Sequence, residues 1–340
     1  NEWPDAPEYA ARRRLMSFEQ PMKTKLMHND VAVSASAELL RCPMLHASGS
    51  SADKYRQLSD RLGLDFSSIA RVFDALPIFQ EGPKHAATRV ALAQVLASGK
   101  TGRAENLESC LASYDLLGIP GEYDLVQQIV RPSVDRYFSD IVGIDLTALS
   151  IADVPLILSD TIGVRKRVRA ETQIKAMLAA LHEGFPDEES VALVLRVVLV
   201  VLGHDAVIGA TTTSIVHLLA EQHGRTFAEI AYPENYPRTG VPFVHRKVAE
   251  PLEIDGETLE ADQDITLLLD VFEEAAHDGD RHLFFGHGRH LCLGRTIALQ
   301  YWQGVTRKLS GIGLSPKVTA LKETTNSVFR TPSVLKIRIN

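Results

Sequence analysis

At 340 residues, 45% of them hydrophobic and 23% charged, the chain is long enough to bury a large core, and its composition is that of a soluble globular protein rather than a disordered or fibrous one. A formal net charge of -7, with only short basic runs at Arg12-Arg13-Arg14 and Arg165-Lys166-Arg167, gives no electrostatic case for a nucleic-acid partner. Cys42, Cys110 and Cys292 stand far apart with no Cys-x-x-Cys pair, which argues against a disulfide framework or a zinc site and for a reducing compartment, the cytoplasm.

In chain order, Pro7-Glu-Tyr-Ala-Ala-Arg-Arg-Arg-Leu opens a first helix with proline in its first turn. Asp30 to Arg41 reads as a second, capped by its aspartate and ended by Pro43. Further helices are expected over about 52 to 62, 83 to 98, 105 to 115, 122 to 142, 166 to 183, 188 to 223 and 293 to 309. Val191 to Gly203 is the most apolar run; with thirteen residues and Arg196 inside it, it falls short of the roughly 18 needed to span a membrane and reads as a buried helix. No segment reads as a signal peptide or a membrane anchor. Strands are expected at Val241 to Val248, Leu252 to Ile254, Asp264 to Leu269 and Ser333 to Ile339. With no repeat and no regular alternation of strand and helix, the pattern points to one mainly α domain over 1–340 with small β-sheets.

The densest chemistry lies in Phe284-Phe285-Gly286-His287-Gly288-Arg289-His290-Leu291-Cys292-Leu293-Gly294. Gly286, Gly288 and Gly294 permit a tight backbone whose N–H groups can point at the Cys292 sulfur, and a thiol held by a metal becomes a thiolate. The following Arg295-Thr-Ile-Ala-Leu-Gln-Tyr-Trp is helical in pattern, so Cys292 is expected at a helix N-terminus, where negative charge is favoured.

Phe285 through Gly294 resembles the heme-binding loop of the cytochrome P450 superfamily, Phe-x-x-Gly-x-His/Arg-x-Cys-x-Gly, at every defining position. The resemblance implies the cytochrome P450 fold, with Cys292 as axial ligand to the iron of heme b (iron protoporphyrin IX) in a loop shaped by Phe285, Gly286 and Gly294. It further implies that His85 and Arg89, four residues apart on one helix face, hold heme propionates together with Arg246 and His290. Arginine suits that task through its planar fork of donors.

Leu202-Gly203-His204-Asp205-Ala206-Val207 is similar to the family's Ala/Gly-Gly-x-Asp/Glu-Thr-Thr/Ser on the helix above the heme, which makes His204, Asp205 and Ala206 the catalytic candidates. The acid survives as Asp205, while the proton-relaying threonine is replaced by Ala206, whose methyl group can relay nothing. A rival register over Gly209-Ala210-Thr211-Thr212-Thr213 restores a threonine and loses the acid.

Three further departures stand out. The family's Glu-x-x-Arg pair is absent, since Glu234 and Arg238 are one residue too far apart and prolines interrupt the segment. Most of the meander that this pair braces is missing between Leu268 and Phe284. Only some forty residues separate Leu146 from Glu188, which implies shortened lid helices and a thin roof, lined in part by Ile151 to Leu158 and Ile174 to Leu181.

The resemblance thus implies oxidative modification of a small-molecule or carrier-tethered substrate in natural-product metabolism. A ferredoxin-type electron donor is implied as partner, no nucleic acid and no membrane, in a monomer or homodimer. Ala206 leaves room for peroxide as the oxidant. The alternatives are a non-oxygenating heme-thiolate enzyme performing dehydration, isomerisation or bond formation, and a non-catalytic relative that binds heme or recruits a partner.

Overall fold

The computed structural model describes residues 31–48, 52–98, 103–159, 161–254, 257–274, 282–322 and 328–340. The helix expected from Pro7 lies outside the described residues. So does part of the stretch between Leu268 and Phe284.

One long helix organises the interior. Helix α8 (Ser190–Glu221) has 32 residues, and its largely apolar sequence buries most of its length in the core. Arg196, the one cation in its first half, is accommodated by Glu188, which accepts from its Nε at 3.0 Å, by the Val142 carbonyl at 3.1 Å, and by the Phe185 ring, whose centroid lies 4.0 Å from the guanidinium carbon. The sequence expectation that this segment is too short to cross a membrane is corrected: by length and composition α8 qualifies, and 67% of its most apolar window is buried inside the fold.

The remaining helices pack around it. They are α1 (Ala37–Arg41), α2 (Ala52–Leu62), α3 (Ser67–Asp74), α4 (Gly82–Ser98), α5 (Arg103–Cys110), α6 (Arg131–Val142), α7 (Val164–Gly184) and α9 (Arg295–Ser310). Ile174, Met177 and Leu181 of α7 are fully buried, and Ile151 and Ile157 before it nearly so. Those residues are core, the ordinary reading of such apolar runs.

The first sheet carries strands in the order β1 (Val31–Ser34), β7 (Asp264–Leu268), β4 (Phe243–Val248), β2 (Leu45–Ala47). β1 runs parallel to β7, and the other pairings are antiparallel, so that Arg246 on β4 stands between Ile265 and Ala47. The second sheet is ordered β3 (Gly121–Asp124), β9 (Val334–Ile339), β8 (Pro316–Lys322), and β5 (Leu252–Ile254) with β6 (Glu257–Leu259) forms a separate ladder. The mainly α architecture with small sheets is as expected.

Several local assignments differ, among them strands β2, β6 and β8, which the sequence reading did not expect. Asp30 to Arg41 is not one helix, because Val31–Ser34 pairs with β7 and the short α1 is capped by Ser36, whose hydroxyl accepts from Leu39 N at 3.2 Å. The helix expected from 122 begins instead as β3, followed by a π-helical turn at Leu125–Val130 and then α6. The 105-to-115 helix closes at Cys110 and tightens into a 3-10 turn over Leu111–Gly118. Helix α3, missed in the sequence, buries Ile69, Val72 and Phe73.

Candidate functional site

Cys292 sits where its loop turns back under the start of α9. Gly286 and Gly288 have φ of 78° and 61°, conformations that disfavour any side chain, and they fold the loop so that Cys292 N donates to Phe285 O at 2.8 Å. Gly294 is not left-handed; it is the N-cap of α9, and a Cβ there would stand 3.8 Å from the Cys292 sulfur. Cys292 is exposed to a water-sized sphere, yet burial raises its thiol above the usual range, against the lowering effect of the Gly294 and Arg295 N–H groups and of Arg89.

Arginine and histidine side chains gather beside Cys292. On α4, His85 is buried and Arg89 donates from Nη2 to Leu291 O at 2.7 Å, which ties the helix to the residue beside Cys292. His290 lies against His85 with ring centroids 4.4 Å apart. Arg246 reaches the same region from β4, where burial pulls its guanidinium down to about 10. His290 is pushed down to about 4 by burial and by Arg246, with Glu81 opposing. His85 is likewise lowered by burial and then by Arg89. Thus His85, Arg89, Arg246 and His290 are brought together, as the sequence reading expects.

Two members of this cluster were overlooked. Glu81 accepts from Ala47 N at 2.6 Å and stands 3.1 Å from His290 Nε2 and 3.2 Å from Arg289 Nε. Its carboxyl is held below the usual range by the Ala47 N–H, His290 and Arg289, which together outweigh the cost of burial. Arg289 also donates to Leu45 O at 3.0 Å. Among these groups Glu81 is the only anion, so the cluster is undercompensated, and His85 Nε2 is buried with no hydrogen-bond partner. The signal for Glu81 was its place four residues before His85, one helical turn away.

Along the middle of α8, Leu199, Leu202 and Ala206 form a partly buried stripe at helical spacing, while Gly203 faces α6, where a Cβ would meet the Phe138 ring at 2.8 Å. Asp205 and His204 point elsewhere. His204 Nε2 is 2.6 Å from Asp135 on α6 and its Nδ1 2.9 Å from Asp205, whose carboxylate also lies 3.6 Å from Arg131. Burial opposes the imidazolium, but the two carboxylates overcome it and the His204 pKa is raised. Asp205 is lowered by His204 and Arg131 despite its burial. The Asp205 carboxylate is therefore engaged toward α6, while Ala206 belongs to the stripe beside it.

No protein-family model matches the chain, and no curated protein matches it. Solved structures do. CalO2 is 16% identical, with 100% of this chain aligned to 99% of that one at a TM-score of 0.73. P450BioI, solved in complex with hexadec-9Z-enoic acid ligated acyl carrier protein, is 15% identical over 89% of this chain and 90% of that one, TM-score 0.68. P450 RauA, complexed with a biosynthetic intermediate of aurachin RE, is 17% identical over 98% and 96%, TM-score 0.66. This chain has the cytochrome P450 fold.

Within that fold, the absent Glu-x-x-Arg pair takes a specific form. Arg238 does not pair with Glu234; its Nη1 donates to Glu273 at 2.7 Å, and Nη2 lies 3.1 Å from His217 Nδ1 on α8. The acid is supplied from beyond β7 rather than from one turn upstream, which no local spacing could reveal.

Proposed function

We propose that the chain is a heme-thiolate enzyme of the cytochrome P450 superfamily that oxidatively modifies a small organic molecule. One observation carries the reading: Cys292 lies beside a cluster of two arginines and two imidazoles, Arg89, Arg246, His85 and His290, and His85 holds a buried nitrogen with no hydrogen-bond partner. That chemistry fits heme b, an iron centre that needs one thiolate and a periphery that brings two carboxylates. A bound heme-thiolate supplies an electron-rich iron that favours O–O cleavage.

The chain's own groups do the rest. Cys292 would hold the iron as its thiolate, a charge that the Gly294 and Arg295 N–H groups favour. His85, Arg89, Arg246 and His290 take the propionates, and an incoming carboxylate gives His85 Nε2 the partner it lacks. Phe285, Gly286 and Gly294 shape the loop around the sulfur. In this reading Leu199, Leu202 and Ala206 of α8 would supply an apolar surface toward the substrate.

The substrate class we infer is a natural-product precursor, free or tethered to a carrier protein. The supporting observations are that P450BioI was solved on an acyl carrier protein and RauA with a biosynthetic intermediate. A ferredoxin-type protein is the electron donor in this reading, and the cytoplasm its location.

A specific observation favours a second reading, a heme-thiolate enzyme that uses no oxidant. The position beside Asp205 is Ala206, and the Asp205 carboxylate is turned to His204 and Arg131, so no hydroxyl and no free acid serve the stripe. Turnover compared with reductant plus dioxygen, with peroxide and with neither separates the two. The first reading expects product only with an oxidant; product formed with neither supports the second.

A further inference from the structure

Glu273 follows β7 on a 3-10 turn and is nearly buried, 7% exposed. It accepts from Arg238 Nη1 at 2.7 Å, from Thr239 N at 2.8 Å and from Arg330 Nη1 at 2.8 Å. Arg330 in turn donates to Asp270 at 3.0 Å, and its own N–H donates to Gly240 O at 2.9 Å. One carboxylate thus joins three stretches far apart in the chain.

Two of these stretches lie directly on the central helix. An ideal Cβ on Gly240 would fall 2.0 Å from Ala206 O and 2.8 Å from Ala210 N, and one on Gly209 would fall 2.8 Å from Arg330 O. Thr331 Oγ1 donates to Asp205 O at 3.4 Å. The Arg238-to-Gly240 stretch then runs through Pro242, whose carbonyl accepts from Leu269 N at 2.8 Å, into β4 and so to Arg246.

Pro233 and Pro237 deny this stretch helical hydrogen bonds, so apart from the local bonds of the Thr239 hydroxyl to Val241 its fixings are tertiary. At its start, Trp302 Nε1 donates to Pro233 O at 3.0 Å, and its ring lies tilted against Tyr236 with centroids 4.8 Å apart. Glu273 holds its end.

We propose that Glu273 is a positioning residue for the Cys292 site: it locks Arg238 to Gly240 and Arg330 against Asp205 to Ala210 of α8, setting the surface at Ala206 and the start of the strand that delivers Arg246. A carboxylate suits this place because it accepts from two guanidinium groups and an amide at once, whereas a carboxamide would turn a donor toward a cation. The consequence at the heme rests on the reading of Cys292 as iron ligand; the lock itself does not.

The test pairs amide hydrogen exchange on the heme-free chain with the carbon-monoxide spectrum of the reduced, heme-loaded chain. Glu273→Gln is expected to speed exchange at the Thr239 and Arg330 amides about ten- to hundredfold. It is also expected to lose part of the red-shifted thiolate band, and Glu273→Asp, which keeps the charge, to retain more of it. Arg330→Gln removes a partner instead of the carboxylate and moves the same two amides, so the lock stays testable if Glu273→Gln does not fold. Leu117→Ala, a core truncation elsewhere, lowers the melting temperature and speeds exchange uniformly, without singling out the Thr239 and Arg330 amides and without weakening the thiolate band. Exchange that rises uniformly in Glu273→Gln, as in Leu117→Ala, overturns the lock, and an unchanged thiolate band overturns its role at the site. A wild-type chain with no such band sinks the heme reading and that role together, while the exchange result still decides the lock.

Discussion

His85 and His290, from α4 and from the cysteine loop, meet with ring centroids 4.4 Å apart, and the buried Nε2 of His85 has no partner in the heme-free chain. An unpaired buried nitrogen is a cost that only a ligand relieves. His85→Leu, which keeps most of the volume and removes the nitrogen, should therefore melt no lower than the parent when heme-free. Its affinity for hemin should fall about tenfold. Spectral titration alongside thermal denaturation checks both, and unchanged affinity with a lower melting temperature would count against the cluster as a propionate clamp.

The buried Asp135, His204 and Asp205 array makes stability depend on pH with a definite sign. His204 has its folded pKa raised above the ordinary value of 6.5, so its contribution is fully present below that value and is lost as pH rises through the higher folded one. Asp205 is lowered, so its contribution is present above the ordinary carboxylate range and lost as acid protonates it. The gap in urea midpoint between parent and His204→Gln should be largest in mildly acidic buffer and narrow in alkaline buffer. A gap that widens with rising pH would contradict the charged imidazolium.

Ala206 belongs to the partly buried stripe of α8, beside an acid already engaged by His204 and Arg131. Ala206→Thr restores a hydroxyl there. We expect the share of reductant that ends in product to rise, by about tenfold where proton delivery limits turnover. Coupling that stays the same would favour the register through Thr211 to Thr213.

Gly240 should tolerate no side chain. The added Cβ would overlap the Ala206 carbonyl at 2.0 Å, and helix backbone cannot yield as a flexible side chain does. Gly240→Ala should cost about 3 kcal/mol or more, read as a fall in the urea midpoint. A neutral outcome would mean that this stretch does not lie on α8 as described.

What the sequence made legible was dense and local. The cysteine loop, its following helix and the His85–Arg89 spacing are each contained within about one helical turn or one tight loop, so side-chain placement follows from sequence spacing. Val31–Ser34 was misread because its strand character comes from parallel pairing to β7, a partner from the far end of the chain. For the same reason Glu122–Asp124 was read as the start of a helix, although β9 claims it as a strand. Glu273 escaped notice because its partners, Arg238 and Arg330, are reached only through the fold. Arg246, although also remote from the cysteine loop, was legible only through resemblance, since nothing around it in sequence marks a ligand.

The claim on which the account rests is that Cys292 binds heme iron as a thiolate. It is tested most directly by loading the purified chain with heme, reducing it and recording the carbon-monoxide spectrum beside that of Cys292→Ala. The expected result is a red-shifted thiolate band in the parent and its loss in the variant with heme still bound through Arg89, Arg246, His85 and His290. A parent that takes up heme without that band, or a variant that keeps it, would contradict the assignment of Cys292.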